Sequence, residues 1–227
     1  MIMTIYKRTF AVLMKKPLKL WGISLLSVLL NGVLTGLCGI AIPGLGLAVA
    51  LLLSTSMTMV YLHGYRGEEV QVIHLFDCFK DWATIKRVVL GLAWMLLWIF
   101  LWSLIPIVGP IFAIIRAYQY RLTPYILVTE PEVPLTEAIK VSTERTQGYK
   151  MKMFLAELLF GLILGIGLPI VGFIVGLFAL IPLIGGLFTL AFIILILAVV
   201  ALSPLFMGLV QAAFYEEISK KKVEVLE

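Results

Sequence analysis

The chain has 227 residues, of which 62% are hydrophobic and only 14% are charged. Soluble domains carry about 25% charged residues, so this composition excludes an ordinary soluble protein and indicates a membrane protein. The net charge of +5 indicates membrane topology rather than nucleic-acid binding, because the basic residues flank apolar runs. Each crossing needs roughly 20 apolar residues, so about six crossings fill the chain.

The first half of the chain predicts four membrane helices. The first apolar run is too long for a cleavable signal peptide, so it is predicted to remain as a membrane helix. The turns after the first and third helices carry no charge, and Pro106 ends the third helix because proline has no backbone N–H to donate. The predicted helices cover about residues 18–37, 45–63, 88–104 and 111–128.

The last apolar stretch, 153–214, is long enough for two long helices or three short ones. Breaks are predicted at Pro169 and around 181–186. Three helices would place the basic tail 220–222 outside the cell, which the positive-inside rule disfavours. We therefore predict two crossings, with 168–186 forming kinked or partly re-entrant structure.

The distribution of basic residues predicts the orientation of the chain. With six crossings, sixteen of the eighteen Lys and Arg residues fall in inner segments and none falls in an outer turn. The predicted fold class is all-α: one polytopic domain, 1–227, with six transmembrane helices and both termini in the cytoplasm. Polar cytoplasmic segments are predicted at 64–87 and 129–152. Such a chain is a multi-pass protein of a bacterial or archaeal inner membrane.

Each polar segment is predicted to contain a helix that lies in the inner membrane interface. In the first segment apolar residues recur at helical spacing, and Phe76, Phe79 and Trp82 are expected to dip below the lipid headgroups. This helix is either an ordinary connector or an element that senses lipid or a partner. The second helix, between Pro134 and Gly148, is weakly amphipathic.

The chain contains no pattern that predicts catalysis, a cofactor or a metal site. His74 and Cys78 share the polar face of the first interfacial helix, but they lack the further Cys or His ligands that a metal site needs. The nucleophile-elbow, zinc-protease and phosphate-loop motifs are all missing from the sequence. We therefore predict a protein that is not an enzyme.

Three charges inside the predicted membrane helices are the most informative chemical feature. A charge at the bilayer centre costs at least about 2.5–3.5 kcal/mol, so such residues are expected to face other helices and to be paired. Arg121 and Glu157 each lie about 10 Å from the inner face on adjacent antiparallel helices, and we predict that they pair. Arg116 lies deeper, and no acidic residue is predicted at its level.

These polar side chains have two interpretations. They form either a structural clamp between helices or a site that binds an anion or a lipid headgroup, with Arg116 using tyrosine hydroxyls, carbonyls, water or the ligand. The candidate site residues are Arg116, Tyr118, Tyr120, Arg121, Tyr125 and Glu157.

Several stretches have distinctive sequences: 66–70 with 75–79, then 117–127, 137–142 and 213–217. In order and spacing they resemble an uncharacterised bacterial integral-membrane family, DUF975, a domain of unknown function. The resemblance covers most of 60–160 and the C-terminus. It implies a six-helix membrane fold without an established activity or assigned catalytic residues. The family is also distantly similar to the membrane module of some glycerophosphodiester phosphodiesterases.

Two hypotheses for function remain. The first is a non-enzymatic membrane protein that organises or binds lipid or a partner protein at the inner leaflet. The second is a transporter or channel for a small or anionic solute, lined by the intramembrane Arg, Tyr and Glu residues. Gly161, Gly165 and Gly172 would permit close helix contact and homo-oligomers. Membrane lipids are the expected partners, and nucleic acid is not.

Overall fold

The computed structural model describes residues 1–15, 17–42, 44–178, 181 and 184–226, with the backbone alone at 17, 18, 184 and 221–226. Every secondary-structure element within these residues is a helix. In chain order the elements are α1 (Ile2–Lys15), α2 (Pro17–Ala41), α3 (Leu45–Arg66), a 3-10 helix (Val72–Phe79), α4 (Trp82–Ser103), α5 (Gly109–Gln119), α6 (Thr123–Thr129), α7 (Ala138–Arg145), α8 (Lys150–Phe178) and α9 (Ile184–Leu226).

Five of the described helices are long and apolar enough to cross a membrane. They are α2, α3, α4, α8 and α9. In the 18-residue apolar stretch of α3, half of the residues are buried inside the protein. In the corresponding stretch of α8, none is buried. The central position therefore belongs to α3, and the others present apolar side chains outward, as helices in contact with lipid do.

The buried core lies towards one end of the bundle. There the C-terminal halves of α3 and α9 pack against the beginning of α4 and against α6 and α7, with Leu62, Val88, Ile126 and Phe214 almost fully enclosed. Ion pairs lie at the same end, including Arg66 with Glu216 and Lys19 with Glu69. We call this end of the bundle the charged end. The opposite end, where α4 turns into α5 at 104–108, is the uncharged end.

Two glycines allow the central helices to approach closely. A Cβ at Gly46 would lie 2.6 Å from the Thr35 carbonyl oxygen, so α2 and α3 meet backbone to backbone. A Cβ at Gly208 would overlap the Tyr61 ring, which brings α9 against α3. Gly161 and Gly165 have open space around them, so the close packing observed within this chain does not involve these two positions.

The fourth predicted helix, 111–128, is two short helices instead of one. After α5 ends, the chain turns at 120–122 and continues as α6. The physical reason is Pro124, which has no N–H to offer the Tyr120 carbonyl and stands in the first turn of α6. Neither helix alone has the length of a membrane span, so the described chain has five such helices and one broken segment.

The first predicted interfacial helix differs from the expected one in type and in its buried face. It is a 3-10 helix, in which residues three apart align. Leu75 and Cys78 are therefore buried together, and the Cys78 N–H donates to the Ser56 hydroxyl of α3 at 3.3 Å. Cys78, predicted on the polar face, lies against the protein, and burial raises the pKa of its thiol.

The predicted second polar-segment helix is shorter than expected, and α8 is longer. Residues 135–137 form turns, α7 spans only Ala138–Arg145, and Gly148 adopts a left-handed φ of 77° between α7 and α8. The break predicted at Pro169 does not occur, because α8 continues through it to Phe178, as membrane helices can. Two helices therefore occupy 153–214. Of the turn predicted at 181–186, Pro182 and Leu183 lie outside the described residues.

Candidate functional site

The broken segment α5–α6 runs back along α4. Near the uncharged end the Trp102 ring lies 5.9 Å from the Phe112 ring, and near the charged end a Cβ at Gly91 would touch Leu127. Later residues of α5–α6 contact earlier residues of α4, so the two segments are antiparallel. Together, α5 and α6 run alongside most of α4. The break is consequently a local interruption and does not reverse the direction of the chain.

Side chains of α7 satisfy the backbone at the break. The Ser142 hydroxyl donates to the Gln119 carbonyl at 2.7 Å and accepts from the Leu122 N–H at 3.2 Å. The Thr146 hydroxyl also donates to the Gln119 carbonyl, at 3.2 Å. Ser142 and Thr146 are fully buried. Because an interrupted helix leaves carbonyl and N–H groups without partners, these hydroxyls are what makes the break tolerable inside the protein.

Two arginines hold the segment that follows α6. Arg87 of α4 donates to the carbonyls of Leu127 and Glu130, at 2.8 and 2.7 Å, and to that of Val133, which together cap the C-terminus of α6. Arg145 of α7 forms a two-pronged ion pair with the Glu130 carboxylate. That pairing raises the pKa of the Arg145 guanidinium. The charged end therefore has a fixed geometry around α6 and α7.

Three of the candidate site residues meet in one polar cluster between α5, α8 and α9. Arg121 pairs with Glu157, as the depth argument predicts. The Tyr118 hydroxyl donates to the second Glu157 oxygen at 2.6 Å. Gln211 of α9 adds a long hydrogen bond of 3.4 Å to the same carboxylate. Glu157 is therefore bound from three directions, and every contact is internal.

The space beside this polar cluster is too small for a solute. The cavity that Arg121, Tyr125, Glu157 and Gln211 line has a volume of about 10 Å³. One water molecule needs at least about 10–15 Å³ on the same measure. The geometry is that of a closed clamp that ties α5–α6 to α8 and α9.

Arg116 lies apart from this cluster and faces different neighbours. Its guanidinium stacks over the Trp102 ring at 4.5 Å and donates to the Gln119 side-chain oxygen at 2.7 Å. Among the residues that the structure describes, no carboxylate forms an ion pair with it. Beside it an open groove of about 310 Å³ runs between α5 and α7, lined by Arg116, Tyr120, Ile139, Lys140, Thr143 and Glu144. We call this the Arg116 groove.

The candidate residues predicted from the sequence thus separate into two groups. Tyr118, Arg121 and Glu157 form the clamp. Arg116 and Tyr120 line the groove. Tyr125 is enclosed and stacks on Tyr215, with ring centres 4.5 Å apart, at the edge of the small cavity.

The three aromatic residues predicted for the membrane interface have different environments. Phe76 and Phe79 are half-buried and pack against the two parts of the core. Trp82 belongs to α4 instead of the preceding helix, is 69% exposed and stacks under the Lys86 ammonium. Of the three, only Trp82 is largely open to the surroundings.

Sequence reasoning missed several residues on which this arrangement depends. Gln119 and Gln211 are polar residues within apolar runs, and that signal could have marked them as partners of Arg116 and Glu157. Ser142 and Lys140 gave no such signal, because they lie in a segment that is polar throughout. Their roles depend on how α7 packs.

No group of three or more His, Cys, Asp or Glu side chains suited to a metal ion occurs within the part of the chain that the structure describes. His74, considered above as a metal ligand, accepts a hydrogen bond from the Gln71 N–H. Its ring lies 5.9 Å from that of His63, which pairs with Glu68. Cys78, its predicted companion, is turned towards α3.

The fold and the polar clamp define an all-helical protein with several helices of membrane-spanning length. Comparison with known families is consistent with that class. Residues 94–222, more than half of the chain, match the family described as a protein of unknown function, DUF975, and the chain belongs to that family. No curated protein and no solved structure matches the chain significantly.

Proposed function

We propose that this protein is a non-enzymatic, multi-pass membrane protein that binds anionic phospholipid through the Arg116 groove. The observation that carries the proposal is the state of Arg116. This guanidinium has only neutral partners among the described residues, Gln119 and Trp102, and it lies beside an open groove. An unneutralised cation at membrane depth is costly, and a lipid phosphate would supply the missing charge.

The composition of the groove supports a phosphate ligand. Lys140 adds a second cation and Tyr120 adds a hydroxyl group, while Glu144 is the one acidic residue among those that line the groove. A guanidinium has five donors, and one of them contacts Gln119, so several remain for phosphate oxygens. The stacking on Trp102 holds the planar group in place and leaves its edge accessible.

The closed clamp argues against the rival proposal of a transporter or channel. A solute path through the intramembrane polar residues would need water-filled space at Arg121 and Glu157. The adjoining cavity measures only about 10 Å³, and the two charges pair with each other, so these residues support a solute path less well than a structural pair. The same pairing supports a structural role for these two residues.

The test is native mass spectrometry of the protein extracted gently with its lipids, comparing wild type with Arg116→Gln and Lys140→Gln. We expect an adduct selective for anionic phospholipid in the wild type, and a loss of roughly tenfold or more in each variant, since each removes one charge-assisted contact worth about 1.5–3 kcal/mol. Lys140 is exposed, so its replacement leaves the packing unchanged.

The matched control is Lys86→Gln, which removes one positive charge from α4 outside the groove. It should retain the adduct. Equal adducts in all four proteins, or equal loss in the control, would contradict the proposed site. Thermal unfolding of each variant checks that a loss of lipid is not a loss of fold.

A further inference from the structure

The N-terminal helix α1 has three different sides. A helix advances about 100° per residue. Ile5 and Thr9 are buried on one side against the protein. The exposed surface is divided in two: an apolar strip of Met3, Phe10 and Met14 on one part, and Thr4, Arg8 and Lys15 on the other.

The apolar strip is fully available to the surroundings. Met3, Phe10 and Met14 are 61%, 57% and 62% exposed. They lie on one line along the helix, and Lys7 lies next to them. Large apolar side chains in such a line are unfavourable in water, so the strip needs an apolar environment.

The contacts of α1 fix the direction in which this strip points. Tyr6, on the edge of the strip, donates its hydroxyl to the Ala156 carbonyl of α8 and packs edge-on against Phe206 of α9. Both partners lie within helices of membrane-spanning length. Arg8, on the opposite side of α1, pairs with Glu217 near the end of α9. The strip therefore points in the direction of the membrane interior, and the polar side points to water.

Chain connectivity fixes the depth of α1 relative to the membrane. Only one residue separates α1 from α2, whose apolar span begins at Lys19. The helix must therefore lie at the membrane boundary. Its sequence contains Lys7, Arg8 and Lys15 and no acidic residue. Two copies meeting at this face would bring like charges together, whereas anionic headgroups would neutralise them.

We propose that α1 is an interfacial helix that binds the anionic lipid surface at the charged end, with Met3, Phe10 and Met14 inserted between lipids and Lys7 and Lys15 on the headgroups. This surface is built from different helices than the Arg116 groove. It rests on the membrane embedding of α2, α8 and α9 and uses no residue of the Arg116 groove, so a failure at either site leaves the other unaffected.

The test uses a fluorophore attached to a single cysteine, at Phe10→Cys or at Thr4→Cys, in a background with Cys38→Ser and Cys78→Ala. Thr4 is exposed on the polar side and is the matched control. The proteins are reconstituted into vesicles of phosphatidylcholine with phosphatidylglycerol. We expect the label at position 10 to be quenched by a spin-labelled lipid, and its reaction with aqueous dithionite to be on the order of tenfold slower than at position 4.

A separate comparison tests whether insertion of α1 requires anionic headgroups. In vesicles of phosphatidylcholine alone, or in the variant Lys7→Gln with Lys15→Gln, protection at position 10 should fall. Protection that does not depend on phosphatidylglycerol would overturn the anionic component.

Two results would overturn insertion itself. One is equal aqueous access at positions 4 and 10. The other is a label at position 10 that is shielded from dithionite but not quenched by lipid, which would assign the strip to a second copy. Phe10 is mainly exposed, so its replacement does not remove buried packing.

Discussion

Glu157 is the residue that connects the largest number of helices in the polar clamp. Glu157 belongs to α8, and its carboxylate accepts hydrogen bonds from Arg121 and Tyr118 of the broken segment and from Gln211 of α9. The carboxylate and its arginine partner are each about one-third exposed or less within the protein. In an apolar surrounding neither charge is stable without the other, so the pair is expected to act as a unit.

The first prediction concerns this pair. Glu157→Gln leaves Arg121 without a counter-charge, and we expect the free energy of unfolding in bilayers to fall by about 2 kcal/mol, with Arg121→Gln behaving similarly. The double variant should recover most of that loss, because no unpaired charge remains. Additive losses in this double-mutant cycle would show that the two side chains do not depend on each other.

The break between α5 and α6 is a feature of three elements. Pro124 prevents a continuous helix, and α7 supplies the hydroxyl groups that the interrupted backbone needs. Arg116, in α5, faces α7, whereas Arg121, within the turn, faces α8. The Arg116 groove and the Arg121–Glu157 pair therefore lie against different helices.

We expect Ser142→Ala to destabilise the protein by about 1–3 kcal/mol, because the buried Leu122 N–H loses its acceptor. Thr143→Ala is the control on the same helix, since its hydroxyl bonds only to the Ile139 carbonyl within α7. It should change the free energy of unfolding by less than about 0.5 kcal/mol. Equal effects would mean that the hydroxyl of Ser142 does not support the break.

At the scale of the whole molecule, polar interactions are concentrated at one end. The core, the ion pairs, α6 and α7 lie at the charged end, while the far halves of α2, α4, α8 and α9 expose mainly apolar side chains. This polarity agrees with the distribution of Lys and Arg along the sequence, from which we predict that the charged end faces the cytoplasm.

That orientation can be measured with single cysteines in the Cys38→Ser, Cys78→Ala background. Ile107, at the uncharged end, is 95% exposed, and Gln147, between α7 and α8, is also exposed. A membrane-impermeant maleimide added to intact cells should label Ile107→Cys and should reach Gln147→Cys only after permeabilisation. The reverse pattern would refute the predicted orientation.

Hydropathy, charge and proline positions were sufficient to predict an all-helical protein with several apolar helices of membrane-spanning length, the α4–α5 turn and the pairing of Arg121 with Glu157. These features depend on local composition or on the depth of a residue along a helix of known rise. They could be read from the sequence because a long apolar run, and the spacing of charges along it, has the same consequence wherever the chain folds.

The tertiary structure decided which proline breaks a helix, since the chain turns before Pro124 but continues through Pro169. It also decided the inward turn of Cys78, the role of Ser142 and the three-sided surface of α1. Each depends on which groups meet across helices that are far apart in sequence: a hydroxyl of α7 with a carbonyl of α5, or Tyr6 with a carbonyl of α8. A polar residue in a polar segment carries no local sign of such a partner. Its role is determined by packing, which brings donors and acceptors together only in the folded protein.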